Sequence, residues 1–273
     1  MSWPSGSDYQ TAVQNPKTAF QDKELQDCIV RPGAMGMPWV ASGNFASVFC
    51  LVHPNGQKYA ARVFNRQVTT QKARYQAVSD HLGGIIFQFM VGFQYQEDGI
   101  QIAGQWYPII KMDWADGVQF GKAVEDNVSD PDALRFIAAQ FRAVYSGLQG
   151  ANMSHCDLQH GNIMVSPAGN LVLVDYDDFF VPKLAGEQAL ALGMPNYQHP
   201  ARRAGDYDEK IDNFSSLVIY MSLGAVAADP TLYQQYNNGD NLVLKETDYK
   251  DLNSPVWVGL AKSSDPVVKD IVD

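Results

Sequence analysis

Basic residues are in deficit. Twenty Lys and Arg face thirty Asp and Glu, a formal net charge of −10. A chain of that sign offers no general footing to the phosphates of a nucleic acid or of an anionic membrane, so neither partner is expected. A bound nucleotide is a separate matter, because one local cation and a metal ion suffice for its phosphates. Cysteine is scarce too. Cys28, Cys50 and Cys156 stand at no metal-ligand or disulfide spacing, which predicts a reducing, cytoplasmic setting. No apolar run approaches the ~20 residues of a membrane span. The opening Met1-Ser2-Trp3-Pro4-Ser5-Gly6 lacks a basic and then apolar segment, so no secretory leader is expected. Repeats and low-complexity tracts are missing as well. What is present is core: 46% of the 273 residues are hydrophobic and 11% aromatic, enough for one large two-lobed domain or two small ones.

The chain is organised around Met153-Ser154-His155-Cys156-Asp157-Leu158-Gln159-His160-Gly161-Asn162-Ile163-Met164-Val165. Leu171-Val172-Leu173-Val174 follows and ends in Asp175-Tyr176-Asp177. The pattern predicts a loop, a short strand, a turn, a second strand and an acidic tip. Asn162 stands five residues after Asp157, and Asp175 thirteen after Asn162. Acidic turns alone would explain Asp and Asn here, but not both spacings with an apolar strand between them. His-x-Asp, then Asn, then a strand and Asp resembles the catalytic loop and metal-binding motif of the protein-kinase fold. The resemblance implies that Asp157 orients the attacking hydroxyl and accepts its proton. It also implies that Asn162 and Asp175 are oxygen ligands for Mg²⁺ on the nucleotide phosphates. Asp177 is either a further ligand or a solvated acid.

Residues 1–24 are polar and without periodicity, which predicts a flexible leader. From Trp39 the pattern becomes strand, Gly43 turn, strand, then Pro54-Asn55-Gly56 as a turn and a third strand over 58–64. This order resembles the nucleotide-covering hairpin and third strand of a kinase small lobe. Only the middle glycine of the usual three is present, as Gly43, with Ala41 and Ala46 at the outer positions. The resemblance implies Val48 and Ala60 around adenine. It puts Arg62 in the place of the lysine that holds the α- and β-phosphates. The plain alternative is a surface arginine, although Ala60, Ala61 and Val63 around it favour an inward position. Arginine keeps the charge but changes its shape. A helix is predicted over 70–82, with Tyr75, Val78 and Leu82 as its stripe. Asp80 points away from that stripe, so the family's ion pair between helix glutamate and strand cation is expected to be missing or rebuilt. Residues 106–112 read as a strand and 113–117 as a hinge or a plain turn. The resemblance implies Met112 at the back of the nucleotide pocket, backbone groups of Asp113 to Ala115 on adenine, and Met164 on the nucleotide side.

The clearest helix is predicted over 131–150, capped by Ser129 or Asp130, with Pro131 in its first turn. Its apolar face is Leu134, Ile137, Ala138, Phe141, Val144, Tyr145 and Leu148. Gly193-Met194-Pro195-Asn196-Tyr197-Gln198-His199-Pro200 resembles the substrate-docking end of a kinase activation segment, with Ala201 where the family has Glu. Asp212 opens an apolar helix and matches the family's buried Asp that holds the catalytic-loop backbone. Short helices are predicted from there on, through Asn241-Leu242-Val243-Leu244 to Pro266. Between Asp175 and Pro200 there is no Ser or Thr, and the hydroxyls are Tyr176 and Tyr197. Both are expected to be packed, so no phosphate switch is expected there.

Over about residues 30–273 the chain resembles a bacterial protein kinase-like domain of the eukaryotic-type Ser/Thr superfamily, akin to kinase domains found with helix-hairpin-helix regions. The implied class is α+β and two-lobed. A small antiparallel β lobe with one helix would span 25–113 and a larger, mainly helical lobe 114–273. The implied activity is ATP- and Mg-dependent phosphoryl transfer to Ser or Thr of a protein substrate. Five departures stand against the pattern: Arg62, the missing helix glutamate, Cys156 for Arg, Gln159 for Lys and Asp177 for Gly. They leave two other functions open. One is a pseudokinase, a nucleotide-binding scaffold for a partner protein. The other is a small-molecule kinase of the aminoglycoside or choline type, whose loop is close to the Asp-Leu-x-x-Gly-Asn of 157–162.

Overall fold

The computed structural model describes residues 3–43, 45–67, 69–83, 85 and 87–272. Met1 and Ser2 of the expected leader, Asn44 of the glycine turn, Val68, Gly84, Ile86 and Asp273 lie outside them. The described chain is α+β, with ten α-helices and two antiparallel sheets. It divides into two compact units, residues 1–76 with 91–114, and residues 77–90 with 115–273.

The first unit begins with three short helices, α1 (Gly6–Ala12), α2 (Pro16–Ala19) and α3 (Lys23–Gln26). Strands β1 (Ile29–Val30), β2 (Val40–Ser42), β3 (Ala46–Val52) and β4 (Lys58–Phe64) follow, then α4 (Gln71–Leu82), β5 (Phe93–Ile102) and β6 (Gln105–Asp113). The sheet order is β1-β3-β4-β6-β5, with β2 also paired to β3. Between β3 and β4, Gly56 takes φ +91°, open to glycine at little steric cost, and the His53 amide donates to Gln57 O at 2.8 Å to close the hairpin.

Side chains alternate between the faces of a strand, and the register turns that alternation into a division of labour. Val48 lies opposite Arg62, Arg62 opposite Ile110, and Ala60 opposite Met112. Val48, Ala60, Arg62 and Met112 therefore share one face. On that face Tyr75 of α4 packs edge-on against Phe93, with ring centroids 5.6 Å apart. Phe49, Leu51, Ala61, Val63 and Ile109 occupy the opposite face and form one core with Tyr9, Val13, Phe20 and Leu25.

That core corrects the flexible leader expected over residues 1–24. A reciprocal cap of Ser5 and Asp8 starts α1. Asp22 caps α3 through the Leu25 amide at 3.1 Å and also holds Lys111, which is 9% exposed, at 3.0 Å. Glu24 completes the grip on Lys111, and the Tyr59 ring lies 4.7 Å from its ammonium. Helices of seven, four and four residues are too short to show a 3.6-residue period. Their stability comes from packing partners far along the chain, which composition does not reveal.

The second unit holds β7 (Val118–Gln119), α5 (Phe120–Asp126), α6 (Pro131–Gly150), β8 (Ile163–Val165) and β9 (Leu171–Leu173). Helices α7 (Asn213–Ala228), α8 (Thr231–Tyr236), α9 (Pro255–Leu260) and α10 (Pro266–Val272) complete it. Strands β7, β8 and β9 form a small antiparallel sheet. Asp130, not Ser129, caps α6, its carboxylate accepting from the Asp132 and Ala133 amides at 3.1 and 3.0 Å. All of the predicted α6 face is buried except Tyr145, which is half-buried and donates to Asn213. Helix α7 is apolar nearly all round and buried along its length, as a central helix must be. Asn241–Leu244, expected as part of a helical tail, is instead a buried irregular stretch. The Asn241 side chain donates to the Tyr236 and Val243 carbonyls. Among the described residues no helix is long and apolar enough to cross a membrane.

Candidate active site around Asp157

The loop 153–162 leads into β8, and the β8–β9 hairpin returns the chain to its start. Ile163 pairs with Leu173, and the Val174 amide donates to Asn162 O at 2.9 Å. Asn162 and Asp175, thirteen residues apart in sequence, thus come to the same end of one hairpin. Asp175 takes φ +68° and Cys156 φ +66°. Two left-handed non-glycine residues beside one carboxylate are strain that the surroundings must hold.

Asp212 does much of that holding. It stands at the N-cap of α7, 1% exposed, yet makes no side-chain cap bond. Its two oxygens accept instead from the His155 amide at 2.5 Å and the Cys156 amide at 3.0 Å, as the family resemblance implied. Burial pushes its carboxyl up, against the downward pull of the His155 ring and of the two amides. His155 also donates through Nε2 to Val174 O at 2.8 Å, joining the loop to the strand before Asp175. Cys156 is buried, and burial drives its thiol far above the usual range, which removes it as a nucleophile.

Asp157 is half-buried. Its Oδ1 accepts from the Met194 amide at 2.8 Å, and its Oδ2 accepts from Asn162 Nδ2 at 3.2 Å. Asn162 Nδ2 also donates to the Asp157 carbonyl at 2.9 Å. Burial pushes the Asp157 carboxyl up, more than the Met194 amide, the His155 ring and Asn162 lower it, and the charge of Asp175 adds to the rise. With its amide nitrogen turned to Asp157, Asn162 has an Oδ1 that no hydrogen bond reaches among the described residues. That oxygen and the carboxylates of Asp175 and Asp177 are hard oxygen donors of the chemical kind Mg²⁺ takes. No group of three His, Cys, Asp or Glu that could hold a metal occurs among the described residues, so a cation here would depend on Asn162.

Four of the first unit's predicted residues, Val48, Ala60, Arg62 and Met112, lie on one sheet face. Arg62 is 7% exposed, so it is not a surface arginine. Gly43 is exposed at its turn, donating to Ala46 O at 2.9 Å and accepting from Asn65 Nδ2 at 2.8 Å. The Asp113 amide donates to Gly92 O and the Trp114 amide to Lys58 O. Two of the backbone groups expected at adenine, these amides, are thus engaged within the unit. In the second unit, Met164 is half-buried in β8 opposite Val172, and Asp177 is half-buried beyond Asp175.

Tyr176 and Tyr197 are buried, as expected. Tyr176 donates to Leu173 O at 2.8 Å and Tyr197 to His160 Nδ1 at 2.7 Å. Asp80 is exposed and pairs with Lys183 at 2.7 Å. Sequence reasoning missed Asp178, which is 8% exposed and accepts from the Leu190 and Ala191 amides at 2.9 and 3.3 Å. It gave Gly193 no role of its own, although any larger residue there would put a Cβ 2.7 Å from Asp157 Oδ1. A glycine followed by Met-Pro was the available signal. No family model matches the chain, and no curated protein matches it significantly.

Proposed function

We propose that the chain is a two-lobed protein-kinase-like domain that transfers the γ-phosphoryl group of ATP to a Ser or Thr hydroxyl of a protein. The observation that carries this reading is the arrangement of Asp157. Its carboxylate is bonded to Asn162, and the loop backbone before it hangs from the buried Asp212. In this reading Asp157 accepts the proton of the attacking hydroxyl. Its raised carboxyl is the better proton acceptor for it, and the bonds from Met194 and Asn162 fix its direction. Asn162 and Asp175 would hold Mg²⁺, with Asp177 beside them. The metal, when bound, neutralises charge on the phosphates. Val48, Ala60 and Met112 would enclose adenine, with Gly43, Asp113, Ala115 and Met164 on the nucleotide side, and Arg62 would bind the phosphates.

Thermal shift with ATP, with and without Mg²⁺, tests the metal side. Asp175→Ala is expected to remove the Mg²⁺-dependent shift, and an unchanged shift would mean the ligands are wrongly assigned. Radiolabel transfer to protein tests the chemistry, with Asp157→Asn expected to abolish it. A second reading, the pseudokinase scaffold, is favoured by arginine standing at position 62 where the family has lysine, which keeps the charge but changes its shape. It predicts the nucleotide shift with no transfer to any acceptor.

A further inference from the structure

Arg202 is 9% exposed, and neither composition nor the family resemblance singles it out. Its Nη1 donates to the Cys156 carbonyl at 2.7 Å and to Gln198 Oε1. Its Nε and Nη2 are buried with no hydrogen-bond partner among the described residues. A guanidinium that uses one nitrogen is a costly way to fill space, since an apolar side chain would avoid the desolvation. What it does is local. The Cys156 peptide directly precedes Asp157. Asp212 takes its preceding amide N–H, and Arg202 takes its C=O. Opposite charges therefore grip both sides of a residue held at φ +66°.

The grip extends to the other side of Asp157. Gln198, bonded to Arg202, has its Nε2 2.7 Å from where a Cβ on Gly193 would lie. The next residue, Met194, donates its amide to Asp157 Oδ1. A path of contacts thus runs from Asp157 through Met194, Gly193, Gln198, Arg202 and Cys156 back to Asp157, its Gly193–Gln198 step being close packing, since Gln198 Nε2 has no hydrogen-bond partner among the described residues. We infer that Arg202 is a positioning residue for Asp157, coupling the 193–202 segment to the catalytic loop. The catalytic consequence rests on the reading of Asp157 as the base. The coupling itself does not.

Amide hydrogen exchange on the full chain tests it, comparing the parent with Arg202→Met, Arg202→Lys and, as a control, Arg203→Met at the exposed neighbour. Arg202→Met is expected to speed exchange across 153–162 and 193–198 by on the order of tenfold, with α6 and the first sheet as protected as in the parent. Arg202→Lys recovers part of the protection, because an ammonium can reach one carbonyl but cannot fork to Gln198. Phosphoryl transfer by Arg202→Met should fall roughly 10- to 100-fold in kcat with KM for ATP unchanged. Unchanged exchange at 153–162, or a uniform rise over the whole chain, would overturn the inference. If Arg202→Met does not fold, Arg202→Lys carries the test: a rise confined to the two segments supports it, and its absence overturns it. Local loosening in a chain whose parent transfers no phosphate would uphold the coupling and remove the kinase reading.

Discussion

Replacing Asp212 by Asn asks how firmly the 153–162 loop is hung. The side chain is 1% exposed, and its two oxygens satisfy the amides of His155 and Cys156. A leucine of similar volume would orphan both N–H groups. At about 1–3 kcal/mol each, the loss is roughly 2–6 kcal/mol, a large share of the ~5–15 kcal/mol that hold a domain together. That variant would report general unfolding. Asparagine is the informative change. It keeps one acceptor oxygen and turns an NH₂ toward the other amide, so one charge-assisted bond is lost while the shape stays. Its cost is about 1.5–3 kcal/mol, reduced because a neutral amide is easier to bury than the carboxylate it replaces. The expected value is therefore about 1–2 kcal/mol of local stability. Exchange at the His155 and Cys156 amides reads the local opening free energy directly. Both should open more readily by that amount while α6 stays protected. If the two amides exchange as slowly in Asp212→Asn as in the parent, Asp212 does not hold the loop and the reasoning fails.

Acid should release the amino-terminal segment. Burial raises the Asp22 carboxyl, but the Leu25 amide and Lys111 hold it net below the usual range. A depressed folded-state carboxyl stabilises above its ordinary value near ~3.9 and loses that contribution as pH falls below it. Trp3 emission should change in that window, since its indole donates to Phe64 O. Lys111→Met should flatten the pH profile and cost about 2–4 kcal/mol by leaving the partly buried Asp22 charge without its cation; identical profiles would count against the clamp. Gly193→Ala would bring a Cβ to 2.7 Å from Asp157 Oδ1 at φ +74°. Transfer should drop at least ~10-fold with about 1–3 kcal/mol of backbone strain, and a normal rate would show that this contact does not matter.

Local pattern located elements whose stability is local. The strand 58–64 follows a Pro-Asn-Gly turn and was legible to the residue. So was the helix 131–150, with its cap and a seven-residue apolar face. The placement of Asp157, Asn162 and Asp175 on one loop and one hairpin was legible because that loop and hairpin set their spacings. Asp212 was not legible from local pattern, since its position reads as an ordinary N-cap; only the resemblance gave its bond to a loop 57 and 56 residues away. Arg202 and the Cys156 carbonyl are 46 residues apart, and Lys111 and Asp22 are 89 apart. Nothing in either neighbourhood announces the other. The amino-terminal helices failed for the same reason, because their apolar side chains find their partners on β3, β4 and β6.

The two-faced sheet of the first unit also limits how this chain can change in length. One face of β4 carries Ala60 and Arg62, and the other carries Ala61 and Val63 against the amino-terminal helices. Because the side-chain period is two, one residue inserted within β4 exchanges the two sets downstream of it. The guanidinium would turn into the apolar core while Val63 turned out of it. Two errors would then follow from one event, and neither face could be repaired by substitution alone. Descendants of this sequence can gain or lose residues in the 53–57 turn, where the strands have already ended, but β4 itself can be edited only in pairs.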